Sequence, residues 1–378
     1  MLNIGVVFGG VSCEHDISII TAMQVVNNLD RTKYNVYPIY IARSGKWYYG
    51  KNFYDIDSVV NYSNNSKQCT FVMGDNTLYS VGKLKGLKKI CNLDYILVSM
   101  HGINGEDGSI VAISNMLGCG NCSPSLVSSA VCMDKCVFKD YVKGLGISNV
   151  VKSVEYVKGN SVDKLASAIK TNKLSYPLIL KPATLGSSIG IAIANNEEEL
   201  INKLAFCLRF DNKILIEEKL ENFREFNIAI VRSRNQLIVS SIEEPINYKA
   251  ILDFNDKYIS GNKQSLGMAS LKRKVPADID DGLAKEIRAI ACKLYSSLDL
   301  TSVVRFDFIY DVDGEKLYLN EVNSIPGSYA YYLFPGMRFA HMLDVIIDNA
   351  VFDKQHKDNQ IKYFHSNVLK NTSGGIKK

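Results

Sequence analysis

The amino-acid sequence predicts an α/β protein whose N-terminal part is an open parallel sheet. An apolar strand at 2–8, a helical repeat of apolar residues over 17–26 and a second strand at 34–41 follow one another in βαβ order. Another strand, at 95–100, ends at a glycine-rich loop. Because ligands bind at the carboxyl ends of the strands in open α/β sheets, the loops after the first and last of these strands are expected to face a site.

Composition restricts the class of protein further. The 378 residues suggest two or three domains, and a mean hydropathy of −0.02 without any long apolar run excludes a membrane-spanning protein. A net charge of +5, with basic residues scattered along the chain, excludes a dedicated nucleic-acid binder. The sequence opens directly on a strand, so we expect a cytoplasmic protein in which the nine cysteines stay reduced.

Two further units follow Pro124, and both alternate helices with strands in the manner of small α+β domains. In the central unit we predict helices at 165–170 and 197–206, and strands at 178–181, 189–194 and 214–217. In the third unit we predict strands at 226–231, 237–242, 303–310 and 316–322, with a long helix at 279–298. The chain is therefore divided into domains at 1–124, 125–216 and 217–351, with a polar tail at 352–378.

The last two predicted strands carry the strongest chemical signal. One contains Arg305 and Asp307, and the other contains Glu321 and Asn323. Side chains alternate along a strand, so each pair shares a face, and carboxylate and amide oxygens suit a hard cation such as Mg²⁺ or Mn²⁺. The alternative is a solvated polar face. A metal site requires Asp307 opposite Glu321, which a three-residue turn or a β-bulge achieves and a strict two-residue turn does not.

A turn rich in glycine and serine, at 181–190, joins two strands of the central unit. Its backbone N–H groups could wrap phosphate oxygens, with Lys181 adding a positive charge. The segment also matches G-x-S-x-G, the nucleophile elbow of serine hydrolases, with Ser188 in the middle. An elbow requires a helix after the serine, whereas 189–194 alternates like a strand. A plain hairpin turn is the third interpretation.

Two loops of the first unit carry further polar candidates. In the loop at 9–18, Glu14 offers a carboxylate to a cationic group, although Ser12 or Asp16 could simply cap the following helix. His101 follows the later strand and lies near Glu106 in the sequence. Taken alone, such a histidine is expected to make a loop hydrogen bond.

Taken together and in order, these segments resemble the D-alanine–D-alanine ligases of the ATP-grasp superfamily over nearly the whole chain. FGGVSCEHDIS resembles that family's first-substrate loop, HGINGEDG its second glycine-rich loop and KPATLGSSIG its phosphate loop. DKY at 256–258 resembles the mobile ω-loop, and RFDF with NEVNSIPG the magnesium hairpin. The resemblance implies a three-domain ATP-grasp fold with an N-terminal Rossmann-like domain.

The resemblance also implies roles for individual residues. The residues implied to contact ATP are Lys135, Lys181, Ser188, Glu217, Leu220, Glu225 and Lys257. Those implied to hold magnesium are Asp307, Glu321 and Asn323. Glu14 would receive the ammonium of the first D-alanine, with Ser187 and Tyr258 linking it to closure of the ω-loop. Arg305 and the backbone N–H of Gly327 would stabilise the oxyanion. The substrate site would be completed by His101, Lys257 and Ser328.

The activity implied is ATP-dependent joining of two D-alanines through a D-alanyl phosphate, giving D-alanyl-D-alanine for peptidoglycan. The partners implied are ATP and D-alanine, with the chain working as a homodimer. Alternatives are a ligase with another second substrate, such as D-serine, a catalytically silent ATP-binding homologue, and the serine hydrolase. Tyr258 stands where ligases that use D-lactate tend to have histidine, so we expect an amine as nucleophile.

One position departs from the family pattern. Tyr332 falls where the family has a serine that binds the carboxylate of the second substrate, and a tyrosine ring there would crowd that carboxylate. We expect Tyr332 to turn into the core, with Lys257 or Ser328 taking the carboxylate; the alternative is that its hydroxyl reshapes the second pocket. The first arrangement predicts that Tyr332→Phe changes KM only slightly and that Lys257→Ala impairs turnover severely.

Overall fold

The computed structural model describes residues 1–82, 86–246, 273–364 and 366. The strands of its first unit are β1 (Leu2–Gly9), β2 (Tyr34–Ile41), β3 (Trp47–Tyr49), β4 (Lys67–Val72), β5 (Asp75–Gly82), β6 (Gly86–Asn92), β7 (Tyr95–Val98) and β8 (Gly120–Asn121). They form one eight-stranded sheet in the order β6-β5-β4-β3-β2-β1-β7-β8. β1 pairs in parallel with β2 and β7, and β7 with β8. The predicted parallel strands are thus present, and the carboxyl ends of β1 and β7 lie side by side.

The helices of this unit are α1 (His15–Asn28), α2 (Ile56–Val60), α3 (Tyr62–Asn65) and α4 (Ser109–Leu117). The antiparallel strands β4, β5 and β6 were not predicted. Their apolar side is narrow: Cys69, Leu78 and Cys91 are the buried apolar residues of these strands, and Phe71, Tyr79 and Ile90 are half-buried. The remaining positions are polar, glycine or exposed, which leaves a weak period-2 signal in the sequence.

Two helices, α5 (Leu126–Met133) and α6 (Lys135–Gly144), precede the central sheet. The sheet consists of β9 (Ser153–Val157), β10 (Leu178–Pro182), β11 (Ala192–Ala194) and β12 (Lys213–Glu218), ordered β11-β10-β12-β9. α7 (Val162–Thr171) and α8 (Glu197–Cys207) pack on it through buried leucines and isoleucines. Ser161 and Asn196 cap these two helices by accepting hydrogen bonds from backbone N–H groups in the first turn.

The third sheet has the order β14-β13-β17-β18. Its strands are β13 (Phe223–Ser233), β14 (Gln236–Val239), β17 (Val304–Asp311) and β18 (Lys316–Asn323). A two-stranded pair, β15 (Glu244–Pro245) and β16 (Arg273–Lys274), lies beside it. Helix α9 (Asp281–Ser297) covers one face, together with Cys132 of α5 and Phe138 and Val142 of α6. Although α5 and α6 were assigned to the central domain, these three residues pack with the third sheet, whereas Cys136 of α6 packs with Ala183 and Leu215 of the central unit.

The C-terminal helix α10 (Phe339–Asp358) runs seven residues into the segment that was expected to be a polar tail from 352. Met342, Leu343 and Ile346 join the core of the first sheet, and Asp344 accepts hydrogen bonds from Lys33 Nζ at 2.7 Å and Tyr34 Oη at 2.9 Å. The expected boundary at 216/217 falls within β12. In both places charged residues continue an element beyond its apolar run.

The hairpin of β17 and β18 has the register that a metal site requires. Near its turn, Asp311 faces Lys316 and Phe308 faces Leu319, which is the register of a two-residue turn. The register then shifts between Asp307 and Phe308, so that Asp307 faces Glu321 and Arg305 faces Asn323. The extra residue on β18 is Asn320. The predicted register is therefore confirmed, and of the two ways of reaching it, a β-bulge is present and a three-residue turn is not.

Candidate active site

A single cavity gathers side chains from all three units. The predicted site residues that line it are Glu14, His101, Lys135, Lys181, Ser187, Ser188, Glu225, Arg305, Asp307, Glu321, Asn323 and Gly327. Three other predicted residues, Glu217, Leu220 and Ser328, do not line it. Lys257 and Tyr258 lie outside the described residues. Most of the predicted site residues therefore lie on one cavity, and three of those described lie away from its wall.

The loop after β1 and the turn at 183–190 meet across this cavity. The Ser187 hydroxyl donates a hydrogen bond to Glu14 Oε1, and a Cβ on Gly186 would come within 3.2 Å of the same oxygen. The close approach of Glu14 therefore favours glycine at 186. The expected link joins Glu14, Ser187 and Tyr258. Its contact between Glu14 and Ser187 is present, and Tyr258 lies outside the described residues.

The same turn decides against the serine hydrolase. After Ser188 the chain makes a turn through Gly190 and enters strand β11, whereas a nucleophile elbow leads into a helix. Ser187 and Ser188 both have positive φ, at 54° and 58°, which turns the loop sharply over the cavity. A strand on each side and glycines between them are typical of a phosphate-wrapping turn.

Two lysines line the cavity beneath this turn, and anions or carbonyl groups hold both. Lys135 Nζ donates to the Leu185 carbonyl at 2.6 Å and lies 3.6 Å from Glu321 Oε2. Lys181 Nζ lies 2.7 Å from Glu217 Oε2 and donates to Asn320 Oδ1 at 3.1 Å. The bulge residue Asn320 therefore connects the hairpin of β17 and β18 to the central sheet.

Glu217 is buried behind Lys181 rather than exposed to a ligand. Its carboxylate pairs with Lys181 on one side and with Lys139 of α6 on the other, and both Glu217 and Lys139 are only 2% exposed. Burial alone would raise the pKa of Glu217, but the two ammonium groups outweigh it and hold the pKa at about 2. Glu217 thus keeps a permanent negative charge that positions Lys181.

On the hairpin, Arg305 and Asp307 form an ion pair with two hydrogen bonds. Arg305 Nε and Nη2 donate to the two carboxylate oxygens of Asp307, each at 2.7 Å, and Asn323 Nδ2 donates to Asp307 Oδ2 at 2.9 Å. Arg305 is buried, which would lower its pKa, but Asp307 keeps it well above the usual range. A permanent cation is therefore fixed beside the carboxylates of the hairpin.

The donor set fits magnesium. Asp307, Glu321 and Asn323 offer two carboxylates and an amide oxygen, all of them hard oxygen ligands, and the cross-strand register places the two carboxylates opposite each other. No group of three His, Cys, Asp or Glu side chains suited to a metal occurs among the described residues. A site with two protein carboxylates is consistent with that finding, because Mg²⁺ usually takes part of its shell from substrate phosphates.

A second carboxylate, Glu106, lies next to Glu14. Its Oε2 accepts a hydrogen bond from the Gly102 N–H at 2.8 Å, and burial and then the Glu14 charge raise its pKa to about 8. His101 pairs through Nε2 with the Thr21 hydroxyl at 2.9 Å, and burial lowers its pKa to about 4. The sequence places Glu106 only as a neighbour of His101, whereas in the structure it lines the cavity together with Glu14.

The part of the wall next to β15 and β16 was not predicted at all. There Arg273 Nη1 donates to Glu243 Oε2 at 2.8 Å, and Asn227 Nδ2 donates to Glu243 Oε1 at 2.8 Å. These three residues line the cavity, and the Arg273 guanidinium lies over the ring of Tyr332, 4.0 Å from its centroid. They belong to three distant segments without a shared motif, so no local sequence pattern signals them.

Comparison with solved structures identifies the class of fold. A solved structure titled as a D-alanine-D-alanine ligase from Coxiella burnetii superposes with a TM-score of 0.79 at 23% identity, covering 94% of this chain and 96% of that one. The VanG D-Ala:D-Ser ligase from Enterococcus faecalis superposes with a TM-score of 0.75 at 30% identity, covering 92% and 99%. The molecule is an α/β protein with the three-domain ATP-grasp fold, as the resemblance implied.

Sequence comparison then identifies the family. The family models for the D-ala D-ala ligase N-terminus and C-terminus match residues 3–121 and 142–348. A D-alanine--D-alanine ligase from Thermosipho melanesiensis is 36% identical over 98% of this chain and 99% of its own length, and one from Thermoanaerobacter sp. is 33% identical over 94% and 98%. The chain belongs to the D-alanine–D-alanine ligase family.

Proposed function

We propose that this protein joins two D-alanines at the expense of ATP, through a D-alanyl phosphate, and so supplies D-alanyl-D-alanine for peptidoglycan. The observation that supports this most is the single cavity in which Glu14 faces the turn at 183–190 while Lys135, Lys181 and the hairpin carboxylates lie around it. Such a cavity can hold an amino acid next to a nucleotide. Membership of the ligase family and the ATP-bound relative from Bacillus anthracis agree with this proposal.

On the nucleotide side, the turn at 183–190 and the two lysines would bind the ATP phosphates. Lys181 is held in place by Glu217, so its ammonium group is positioned before ATP arrives. Apolar side chains that line the same region, Ile179, Ile191, Phe308 and Ile309, suit a nucleobase, and Glu225 would face the nucleoside. Asp307, Glu321 and Asn323 would hold magnesium, which when bound neutralises charge on the transferring phosphoryl group.

On the amino-acid side, Glu14 would receive the ammonium group of the first D-alanine, with the buried Glu106 behind it. The carboxylate of that D-alanine attacks the γ-phosphoryl group of ATP, and the second amine then displaces phosphate. Arg305 and the Gly327 N–H would stabilise the oxyanion of this second step. Ser187 and Tyr258 would close the site and exclude water from the acyl phosphate, and Lys257 would meet substrate or phosphate anions.

A second candidate is the joining of D-alanine to D-serine, because the VanG neighbour is titled a D-Ala:D-Ser ligase at 30% identity. A homodimer and a cytoplasmic location are further proposals that follow from family membership. None of the described helices is long and apolar enough to cross a bilayer. A catalytically silent homologue is disfavoured because the lysines, hairpin carboxylates and arginine line one cavity.

The test is an incubation of the protein with ATP, Mg²⁺ and D-alanine, alone or mixed with D-serine, D-lactate or L-alanine, following ADP and condensed products by mass spectrometry. We expect one ADP for each D-alanyl-D-alanine formed and no L-alanine product. ADP release that does not depend on a D-amino acid would contradict the proposal. Efficient ester formation from D-lactate at neutral pH would contradict the expectation of an amine nucleophile.

A further inference from the structure

Behind the nucleotide side of the cavity, Lys181, Glu217 and Lys139 form a row of three charges, called here the charge triad. Glu217 Oε2 lies 2.7 Å from Lys181 Nζ, and Glu217 Oε1 pairs with Lys139 Nζ. Lys181 lines the cavity, whereas Glu217 and Lys139 do not. The charge triad therefore begins at the cavity wall and ends in the interior of the protein.

Lys139 is the unusual member of this row. Among the described residues it is the one lysine that is fully buried. It follows Lys135 by one turn of α6, so the two lysines extend from the same side of that helix, and its ammonium group also donates to the Val151 carbonyl at 3.5 Å. Apolar residues in place of a buried ion pair are often as stable or more so. Stability alone therefore does not account for a lysine at this position.

The net charge of the triad gives Lys139 a role. Burial lowers the pKa of Lys139 and the Glu217 carboxylate opposes this shift, while the two ammonium groups hold the pKa of Glu217 at about 2. With all three groups ionised, the two lysines and one glutamate leave a net charge of +1. Without Lys139, the carboxylate behind Lys181 would cancel the positive charge that the cavity wall presents to a phosphate group.

We propose that Lys139 is a positioning residue for ATP: it neutralises Glu217 from behind, so that the charge of Lys181 acts on the bound phosphates. This inference rests on the proposed ligase function, because it takes ATP as the ligand of Lys181. An ammonium group has three hydrogens, so Lys181 can direct one to a phosphate oxygen while it keeps its contacts with Glu217 and Asn320. Lys139 ensures that Glu217 does not become an unpaired buried charge when Lys181 shares its charge with the phosphate.

The test compares Lys139→Met with the double variant Lys139→Met/Glu217→Gln. The first removes one positive charge from the triad, whereas the second removes both buried charges and restores the net charge through Lys181 alone. Lys143→Met is the matched control, because Lys143 lies one turn further along α6, is exposed and pairs with Asp140 at 3.3 Å. For each variant, steady-state assays give kcat and KM for ATP, and the inhibition constant of adenosine reports binding of a nucleoside without phosphates.

We expect KM for ATP to rise about tenfold or more in Lys139→Met, which is the scale of one unit charge lost in a partly buried site. The value of kcat and the inhibition constant of adenosine should stay close to the wild type, as should all three quantities in Lys143→Met. The double variant should return KM for ATP most of the way to the wild-type value, because the charge at the cavity wall is restored.

Three results would overturn the inference while the ligase function stands: an unchanged KM for ATP in Lys139→Met, an equal weakening of adenosine, or a rise in KM that the double variant does not reverse. If Lys139→Met does not fold, the double variant decides, since a strongly raised KM for ATP there would contradict the role of charge. Absence of both ADP and dipeptide in the wild type would instead overturn the proposed function.

Discussion

The nucleotide side of the cavity and the part of its wall next to β15 and β16 are built on different principles. On the nucleotide side, charges lie two residues apart on strands or within one turn, as in Arg305 and Asp307 or in the turn after Lys181. On the wall next to β15 and β16, Arg273 meets Glu243 and Tyr332 from positions 30 and 59 residues away in the sequence. Local geometry fixes the first region, whereas packing of distant segments fixes the second.

The largest effect should come from the buried anion of the nucleotide side. Replacing Glu217 by Ala leaves Lys139, 2% exposed, as an uncompensated buried charge, which costs about 3–5 kcal/mol of unfolding free energy. Urea unfolding at neutral pH measures the loss. Glu218→Ala is the matched control, because Glu218 is half-buried and lies 3.9 Å from Lys152. Equal losses of unfolding free energy in the two variants would show that the buried Glu217 stabilises the fold no more than the half-buried Glu218.

The next effect concerns the junction of the two regions. Arg305→Ala removes the cation proposed to stabilise the oxyanion, so kcat should fall by about 10²–10³-fold, with little change in KM for ATP. Steady-state kinetics with Arg305→Lys as the comparison checks this, since lysine keeps the charge and loses the paired hydrogen bonds to Asp307. If KM for ATP rose while kcat held, Arg305 would belong to the nucleotide side alone.

A smaller effect should appear in the pH dependence of stability. The pKa of Glu106 is raised to about 8 from an ordinary value of 4.5, so the folded protein keeps a proton that the unfolded chain releases between these values. Stability should therefore fall as pH rises through this window. In Glu106→Gln the fall should be shallower, as thermal melts in metal-free buffer at pH 5.5 and 8.5 would record. Parallel profiles for the two proteins would refute the raised pKa.

The smallest effect is expected at the bulge. Asn320→Ala removes the hydrogen bond from Lys181, worth roughly 0.5–1.5 kcal/mol, so KM for ATP should rise less than about tenfold. Deleting Asn320 removes the bulge but keeps Asp307 opposite Glu321, because Phe308 already pairs with Leu319, so activity should fall no further than in Asn320→Ala. Complete loss of activity in the deletion would mean that the bulge itself is required, and not only the pairing of Asp307 with Glu321.

This contrast explains what could be predicted from the sequence. Strand alternation identified Asp307 and Glu321, and a shared metal site required the register in which they pair, through either a three-residue turn or a bulge. Glu14 could be placed at a strand end, but its contact with Ser187 depends on how two units pack. Lys139, Glu243 and Arg273 carry no motif. Their roles come from burial and stacking across the fold, which no local spacing encodes.

The central claim is that the nucleotide side of the cavity activates a carboxylate as an acyl phosphate. D-Alanine labelled with ¹⁸O in both carboxylate oxygens tests it directly, with ATP and Mg²⁺ present and the released phosphate analysed by mass spectrometry. We predict one ¹⁸O in each phosphate and one in the amide carbonyl of each dipeptide, because one carboxylate oxygen leaves with the phosphoryl group. Dipeptide formed with unlabelled phosphate would contradict the account.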